Sequence, residues 1–165
     1  MTDIVDKATR SRMMAGIRGK NTQPELVVRR FLHSSGFRYR LHAENLAGKP
    51  DIVLPKYRTA IFVHGCFWHR HDGCKYSTNP EQNQEKWQEK FRRNVERDHR
   101  NIRLLLGQSW RVIVIWECGI RHGNSDFLWL ADEINHGCKE YVEWPSSQEV
   151  TPTAHYGADG EQAEA

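Results

Sequence analysis

No stretch of the 165-residue chain approaches the roughly 20 consecutive apolar residues that a membrane-spanning helix needs, and no membrane contact is expected. The first residues carry Asp3 and Asp6 without an apolar core, unlike an export signal, so the expected compartment is the cytoplasm. Internal repeats are missing as well. Cysteines number only four, and without export they are expected to be reduced thiols rather than two disulfides. Residues 145–165 contain no Lys or Arg, yet they hold Glu149, Asp159, Glu161 and Glu164. An overall charge of +3, with −4 on that tail, leaves +7 on residues 1–144. A basic globular part suits a nucleic-acid partner, although solvated basic faces are common. With 38% hydrophobic residues the chain can bury one core. The expected organisation is a basic arm over residues 1–21, one domain over 22–144 and an acidic, disordered tail over 145–165.

Against this background one segment is dense in reactive side chains. Behind the apolar run Ala60-Ile61-Phe62-Val63-His64 comes Gly65-Cys66-Phe67-Trp68-His69-Arg70-His71-Asp72-Gly73-Cys74. Cys66, His71 and Cys74 have ligand spacing, and a later strand-like run ending at Trp116 delivers Cys118. The four make a Cys3His zinc site, which would be structural because four protein ligands leave no open position. Catalysis must then lie elsewhere, with Asp51, His64 and His69 still unassigned. Cys138 is the leftover, read as a small buried thiol on a C-terminal helix.

The pattern of elements is mixed α/β. Thr22-Gln23-Pro24-Glu25 is a capping box, and Leu26, Val27, Phe31 and Leu32 continue a helix to about His33, closed by Gly36. Short strands are expected over 37–42, 51–54 and 59–64, then a long helix over 81–106 with Trp87, Phe91, Val95, Ile102 and Leu106 on one face. A strand over 111–116 and a final helix over 127–144 follow. A long helix between two apolar strands is the crossover that parallel neighbours need.

Asp51 opens one strand and His64 closes the next, so a hairpin would bring both to one end of the sheet. Oxygen ligands select magnesium, and hydrolysis of a phosphodiester needs a metal together with a base for water; Asp51, His64 and His69 are residues of those types. Taken singly, Asp51 is also an ordinary turn residue after Pro50, and Glu25 is already explained by its cap. The segment from Lys7 to Lys20 reads as an arm that tracks phosphates and could press Met13 or Met14 against a base step. Phe67 and Trp68, between zinc ligands, either face a partner or cover the zinc site. Trp87, Lys90, Asn94 and Asp98 share a helix face from which Lys90 and Asn94 could reach base edges while Trp87 stacks; Trp87 is equally a core candidate.

These residues resemble the very short patch repair endonucleases, bacterial enzymes that nick DNA beside a T:G mismatch. The strings that carry the resemblance are Asp6-Lys7-Ala8-Thr9-Arg10-Ser11, Gly48-Lys49-Pro50-Asp51, Ile61 through His69, Asn94-Val95-Glu96-Arg97-Asp98, and Gly107 through Val112 with Trp116-Glu117-Cys118. The resemblance covers about residues 1–122. It implies a restriction-endonuclease-like mixed sheet flanked by helices, a structural Zn2+ on Cys66, His71, Cys74 and Cys118, and Mg2+-dependent nicking 5′ of the mismatched T. It implies Asp51 as the magnesium carboxylate, joined by the backbone of Val63, with His64 and His69 at the scissile phosphate and Glu25 in support. Met14, Phe67, Trp68, Trp87, Lys90 and Asn94 fall on DNA-contacting positions. The implied setting is a monomer in the bacterial cytoplasm, at the nucleoid when acting, with mismatched duplex DNA and a mismatch-repair protein as partners.

Two departures accompany the resemblance. Val63 stands where the family often has Thr, which is harmless if that residue acts through its carbonyl. Phe62 and His64 stand where ordinary nucleases of this fold place an acid and a lysine. The competing classes are a zinc-stabilised DNA-binding module without catalysis, for which Asp51, His64 and His69 would be surplus, and a zinc hydrolase with an open position and His69 as a ligand.

Overall fold

The computed structural model describes residues 8–9, 19–121 and 126–146. Met13, Met14 and most of the arm, like the tail beyond Ser146, lie outside the described residues. The ordered elements are α1 (Gln23–Ser34), β1 (Arg40–Leu41), β2 (Ile52–Leu54), β3 (Thr59–His64), α2 (Cys66–His69), α3 (Gln84–Gly107), β4 (Arg111–Trp116), α4 (Glu117–Arg121), α5 (Leu128–His136) and β5 (Tyr141–Trp144). The strands form one sheet in the order β1-β2-β3-β4-β5. The first two pairings are antiparallel and the last two parallel, so the sheet is mixed as expected.

Strand residues alternate between faces, and both faces are covered. Ile52, Leu54, Ile61, Ile113 and Ile115 pack with Val28 and Leu32 of α1 and with Leu130 and Ile134 of α5. Val53, Ala60, Phe62, Val112, Val114 and Trp116 face the other way, against Leu105 of α3 and the buried cysteines. Because nearly every position of β2, β3 and β4 is buried, these core strands read as apolar runs, whereas the edge strands β1 and β5 do not. The same parity places His64 with Phe62, and Asp51 with Val53, on the α3 face. That parity puts the chemistry on one side of the sheet.

The α1 capping box is present: Thr22 Oγ1 accepts from the Glu25 amide at 3.4 Å, and the Glu25 carboxylate returns to the Thr22 amide. Gly36, at φ +82°, turns the chain after α1. The α3 crossover sets β3 and β4 in parallel register from Thr59↔Arg111 to His64↔Trp116. Three expectations need correction. Residues 127–144 are not one helix: α5 stops at His136 and Tyr141–Trp144 pairs with β4 as an edge strand. Gly137 breaks the helix, and the alternation Tyr141-Val142-Glu143-Trp144 suits a strand. Cys138 therefore lies in the α5–β5 connection and is exposed. The strand expected over 37–42 shrinks to Arg40–Leu41, paired with Ile52 and Val53 at the start of the short β2.

The C-terminal strand is locked against α4. A Cβ added to Gly119 would lie 2.5 Å from Trp144 Cζ3 and 2.6 Å from Pro145 Cδ, ring atoms with little freedom to yield. Gly119→Ala is expected to cost about 1–3 kcal/mol, read as a lower denaturation midpoint at unchanged slope.

Candidate active site and metal-ligating cluster

The open end of the sheet faces a cleft of about 880 Å³ lined by α1, the β1–β2 connection, the end of β3, α2 and one face of α3. Asp51 sits just before β2. Its Oδ2 accepts the Val63 amide at 2.8 Å, a bond that continues the β2–β3 ladder with a side chain in place of a carbonyl. The N–H and C=O of a strand residue point to the same edge, so the Val63 carbonyl also faces the Asp51 side. Burial pushes the Asp51 carboxyl up to about 6, against the opposing pull of the Val63 hydrogen bond. Such a carboxylate is costly to ionise without a cation beside it.

His64 ends β3 and His69 ends α2, and their rings stack at 3.9 Å between centroids and 7° between planes. His69 Nδ1 donates to Asp98 Oδ2 of α3 at 2.5 Å, which fixes its tautomer and leaves Nε2 as the acceptor. Burial pushes the Asp98 carboxyl up, but the His69 hydrogen bond and the positive groups nearby outweigh it and hold the carboxyl below its ordinary value. His64 is 6% exposed, and burial together with His69 drives its pKa down to about 3, so it is neutral at working pH. The ligand-capable atoms of His64, His69 and Asp98 lie within 4.8 Å of one another.

Glu25, His42 and Asp51 form a second group within the same limit. Glu25 is 2% exposed. Its Oε1 accepts the Thr22 hydroxyl at 3.0 Å, while its Oε2 accepts the Asn21 amide at 3.0 Å and Arg29 Nη2 at 2.6 Å. The cap expected for Glu25 and its place beside Asp51 thus coexist. Burial, followed by the charge of Arg29, lowers the His42 pKa.

Across the cleft, Phe67 and Trp68 of α2 pack on Trp87 and Phe91 of α3 with centroid spacings of 5.1–5.8 Å. Lys90 Nζ lies 4.7 Å from the Trp68 centroid and 5.2 Å from that of Trp87, and Asn94 Nδ2 donates to the Trp68 carbonyl at 3.1 Å. Phe67, Trp68 and Trp87 are all half-buried. Phe67 and Trp68 therefore contribute to packing and to the cleft wall at once, while Trp87 packs behind them and is not part of the lining. Lys20, Lys49, Lys90, Arg97 and Arg121 narrowly outnumber Glu25, Asp51, Asp98 and Glu117 in the lining, which leaves it weakly basic.

Behind the cleft, Cys66, His71, Cys74 and Cys118 are all buried, with their ligand atoms within 4.8 Å of one another. His71 Nδ1 is 3.3 Å from Cys118 Sγ and 3.9 Å from Cys66 Sγ, and its ring stacks on Trp116 at 4.3 Å. Three thiols and one imidazole fit a closed tetrahedral metal site. Burial raises the Cys66 and Cys118 thiols, the latter to about 11, so metal capture must displace their protons. His69 belongs to the other cluster and not to this one, which speaks against a zinc hydrolase with an open position and His69 as a ligand.

The sequence profile described as DNA mismatch endonuclease Vsr matches residues 2–75. The chain is 46% identical over 118 residues to the Type II nicking enzyme V.XorIIP of Xanthomonas oryzae pv. oryzae, spanning 72% of this chain and 86% of the relative. It is 43% identical over 121 residues to the DNA mismatch endonuclease Vsr of Escherichia coli, covering 73% and 77% of the two chains. The chain belongs to the Vsr family of DNA mismatch endonucleases. The similarity to V.NmeAIP of Neisseria meningitidis is of the same order, 46% over 122 residues.

Three residues of this Vsr-family site escaped the sequence reading. Asp98 stands in the sequence as a member of the Trp87-Lys90-Asn94 face and of the Asn94–Asp98 string, but neither gives it a role, since its partner His69 lies 29 positions away. His42, at φ +47°, sits in a turn with no periodic signal. Arg29 lies four residues after Glu25 on α1, and its side chain is only 8% exposed. No sequence signal marks His42 as part of the site, whereas the i,i+4 spacing of Arg29 from Glu25 is the one signal that could have found Arg29.

Proposed function

We propose that this Vsr-family protein nicks one strand of duplex DNA 5′ of the T in a T:G mismatch, leaving a 5′-phosphate and a 3′-hydroxyl. The reading is carried by one juxtaposition: the His64–His69–Asp98 group and Asp51 share a weakly basic cleft with a wall of half-buried aromatics. Asp51 and the Val63 carbonyl would hold Mg2+, with Glu25 in support; when bound, the ion neutralises phosphate charge and makes water more acidic. His69, oriented by Asp98, takes a proton on Nε2 from the attacking water. His64, kept neutral by burial, orients the phosphate by hydrogen bonding. The water oxygen bonds to phosphorus as the bond to O3′ breaks, which gives the stated ends.

Zn2+ is the ion proposed for the Cys3His cluster, where it braces α2 and therefore His69. Phe67, Trp68 and Trp87, with Met14 of the arm, would wedge beside the mismatch, while Lys90 and Asn94 contact the bases. A wobble pair is cheaper to unstack than a matched one, which gives wedging side chains part of their selectivity. The arm over 1–21, the nuclease domain over 22–144 and the tail over 145–165 are proposed as the working division. The proposed setting is a monomer in the bacterial cytoplasm, at the nucleoid when acting, alongside a mismatch-repair partner.

An end-labelled duplex with one T:G mismatch, incubated with magnesium beside its matched counterpart, tests the reading. Nicking of the mismatched duplex alone is expected. Binding without a nick would leave a zinc-stabilised DNA-binding module, and cutting of both duplexes would remove the mismatch from the function. In the same assay Asp98→Asn is expected to slow nicking by about 10²-fold or more, because the amide favours the wrong His69 tautomer. Unchanged binding would place the loss in the chemical step.

A further inference from the structure

The Arg29 guanidinium is held by three acceptors from three chain segments. Nη1 donates to Asn21 Oδ1 at 2.7 Å, and Nη2 donates to Glu25 Oε2 at 2.6 Å and faces His42 Nε2 at 3.1 Å. Asn21 leads into α1, Glu25 is in its first turn, and His42 follows β1. Arginine cannot accept a hydrogen bond, so His42 Nε2 must be the acceptor and its neutral ring carries the proton on Nδ1. We propose that Arg29 is a positioning residue for the divalent-cation site, its planar fork setting Glu25 and His42 against Asp51 and tying the exit of the N-terminal arm to that site. The inference rests on the reading of Asp51 as a cation ligand.

Charge and geometry pull in opposite directions here. A buried cation beside a metal site repels the incoming ion, so charge removal alone would tighten metal binding. A fork that presents ligands does the reverse when lost. Lysine keeps the charge but replaces the planar fork by a single ammonium, so Arg29→Lys isolates the geometric part. Asn21→Gly is the milder variant: Asn21 sits at φ +58°, which glycine adopts freely, and only the amide acceptor disappears.

The test is Mn2+ binding to the zinc-loaded protein, followed by the signal of free manganese in electron paramagnetic resonance, alongside single-turnover nicking of the T:G duplex. Arg29→Lys is expected to bind Mn2+ at least five-fold more weakly and to nick at least ten-fold more slowly, with duplex binding in metal-free buffer within two-fold. Asn21→Gly should weaken Mn2+ binding about two-fold. Wild-type Mn2+ affinity in Arg29→Lys would overturn the proposal and leave Arg29 a charge balance for Glu25. If Arg29→Lys fails to fold, unchanged affinity in Asn21→Gly overturns it equally. Wild-type protein that binds Mn2+ in an Asp51-dependent manner but never nicks would sink the reading of the function while the affinities still decide the role of Arg29.

Discussion

Exchange of Asp51 for Asn is expected to abolish nicking, by about 10³-fold or more, while making the magnesium-free protein harder to unfold. The two effects have one cause. The Asp51 carboxyl is raised by burial to about 6, so in the absence of a cation the folded protein holds this proton more tightly than the unfolded chain does. Its contribution to stability is fully present below about pH 4 and is lost as pH rises through about 6. At neutral pH the ionised group therefore costs on the order of 3 kcal/mol. Asparagine keeps an oxygen to accept the Val63 amide and removes the charge. Thermal melts of zinc-loaded, magnesium-free protein at pH 7.5 and pH 4 check this: the variant should melt higher at the first and show no advantage at the second. A variant that melts lower at both would mean that the carboxylate is not strained.

Withdrawal of the ion from the Cys3His cluster is expected to unfold the protein, whereas withdrawal of magnesium should only stop cleavage. The four side chains come from α2, the loop to Cys74 and the start of α4, and the three cysteines sit in the buried cluster under the α3 face of the sheet, where an ion would tie these segments together. Binding free energy of a structural zinc is of order 10 kcal/mol, comparable to the whole stability of a domain. Circular dichroism during titration with a zinc-selective chelator should show cooperative loss of structure, and Cys118→Ser should purify poorly. Because thiols are mostly protonated at neutral pH in the unfolded chain and must bind metal as thiolates, zinc uptake should release at least two protons, measurable by calorimetry in two buffers of different ionisation enthalpy. Retained structure at full chelation would make the cluster dispensable for folding.

How far the sequence could be read depends on the range over which each feature is determined. The α1 cap, the end of α1 near Gly36 and the β4 strand over Arg111–Trp116 are set by neighbours a few residues apart, and all three appear where local chemistry puts them. The proximity of Asp51 to the end of β3 was legible because a short hairpin leaves few alternatives. The four thiol and imidazole ligands were legible because their spacing is unusual. β5 was misread because four residues next to a helix cannot establish a period, and its partner β4 lies far back in the chain. α2 and α4 are equally short, and each begins at the foot of a core strand, where burial rather than periodicity decides. The His69–Asp98 and Arg29–His42 contacts are closed by tertiary packing, so the roles of Asp98 and His42 have no local periodic signal, whereas the Glu25–Arg29 half of the Arg29 cluster is an ordinary i,i+4 pair on α1.

The in-register ends of β3 and β4 impose an order on biosynthesis. His71 and Cys118 meet across 47 positions of sequence, and they meet only because His64 and Trp116 lie side by side at the ends of parallel strands. A chain emerging from the ribosome exposes Asp51, His64, His69 and Asp98 well before Cys118, with three of the four thiol and imidazole ligands waiting. Metal capture is thus completed only after the crossover has docked. With zinc there as proposed, the nascent nuclease would remain without that brace until the core strand leading to the final thiol is in place.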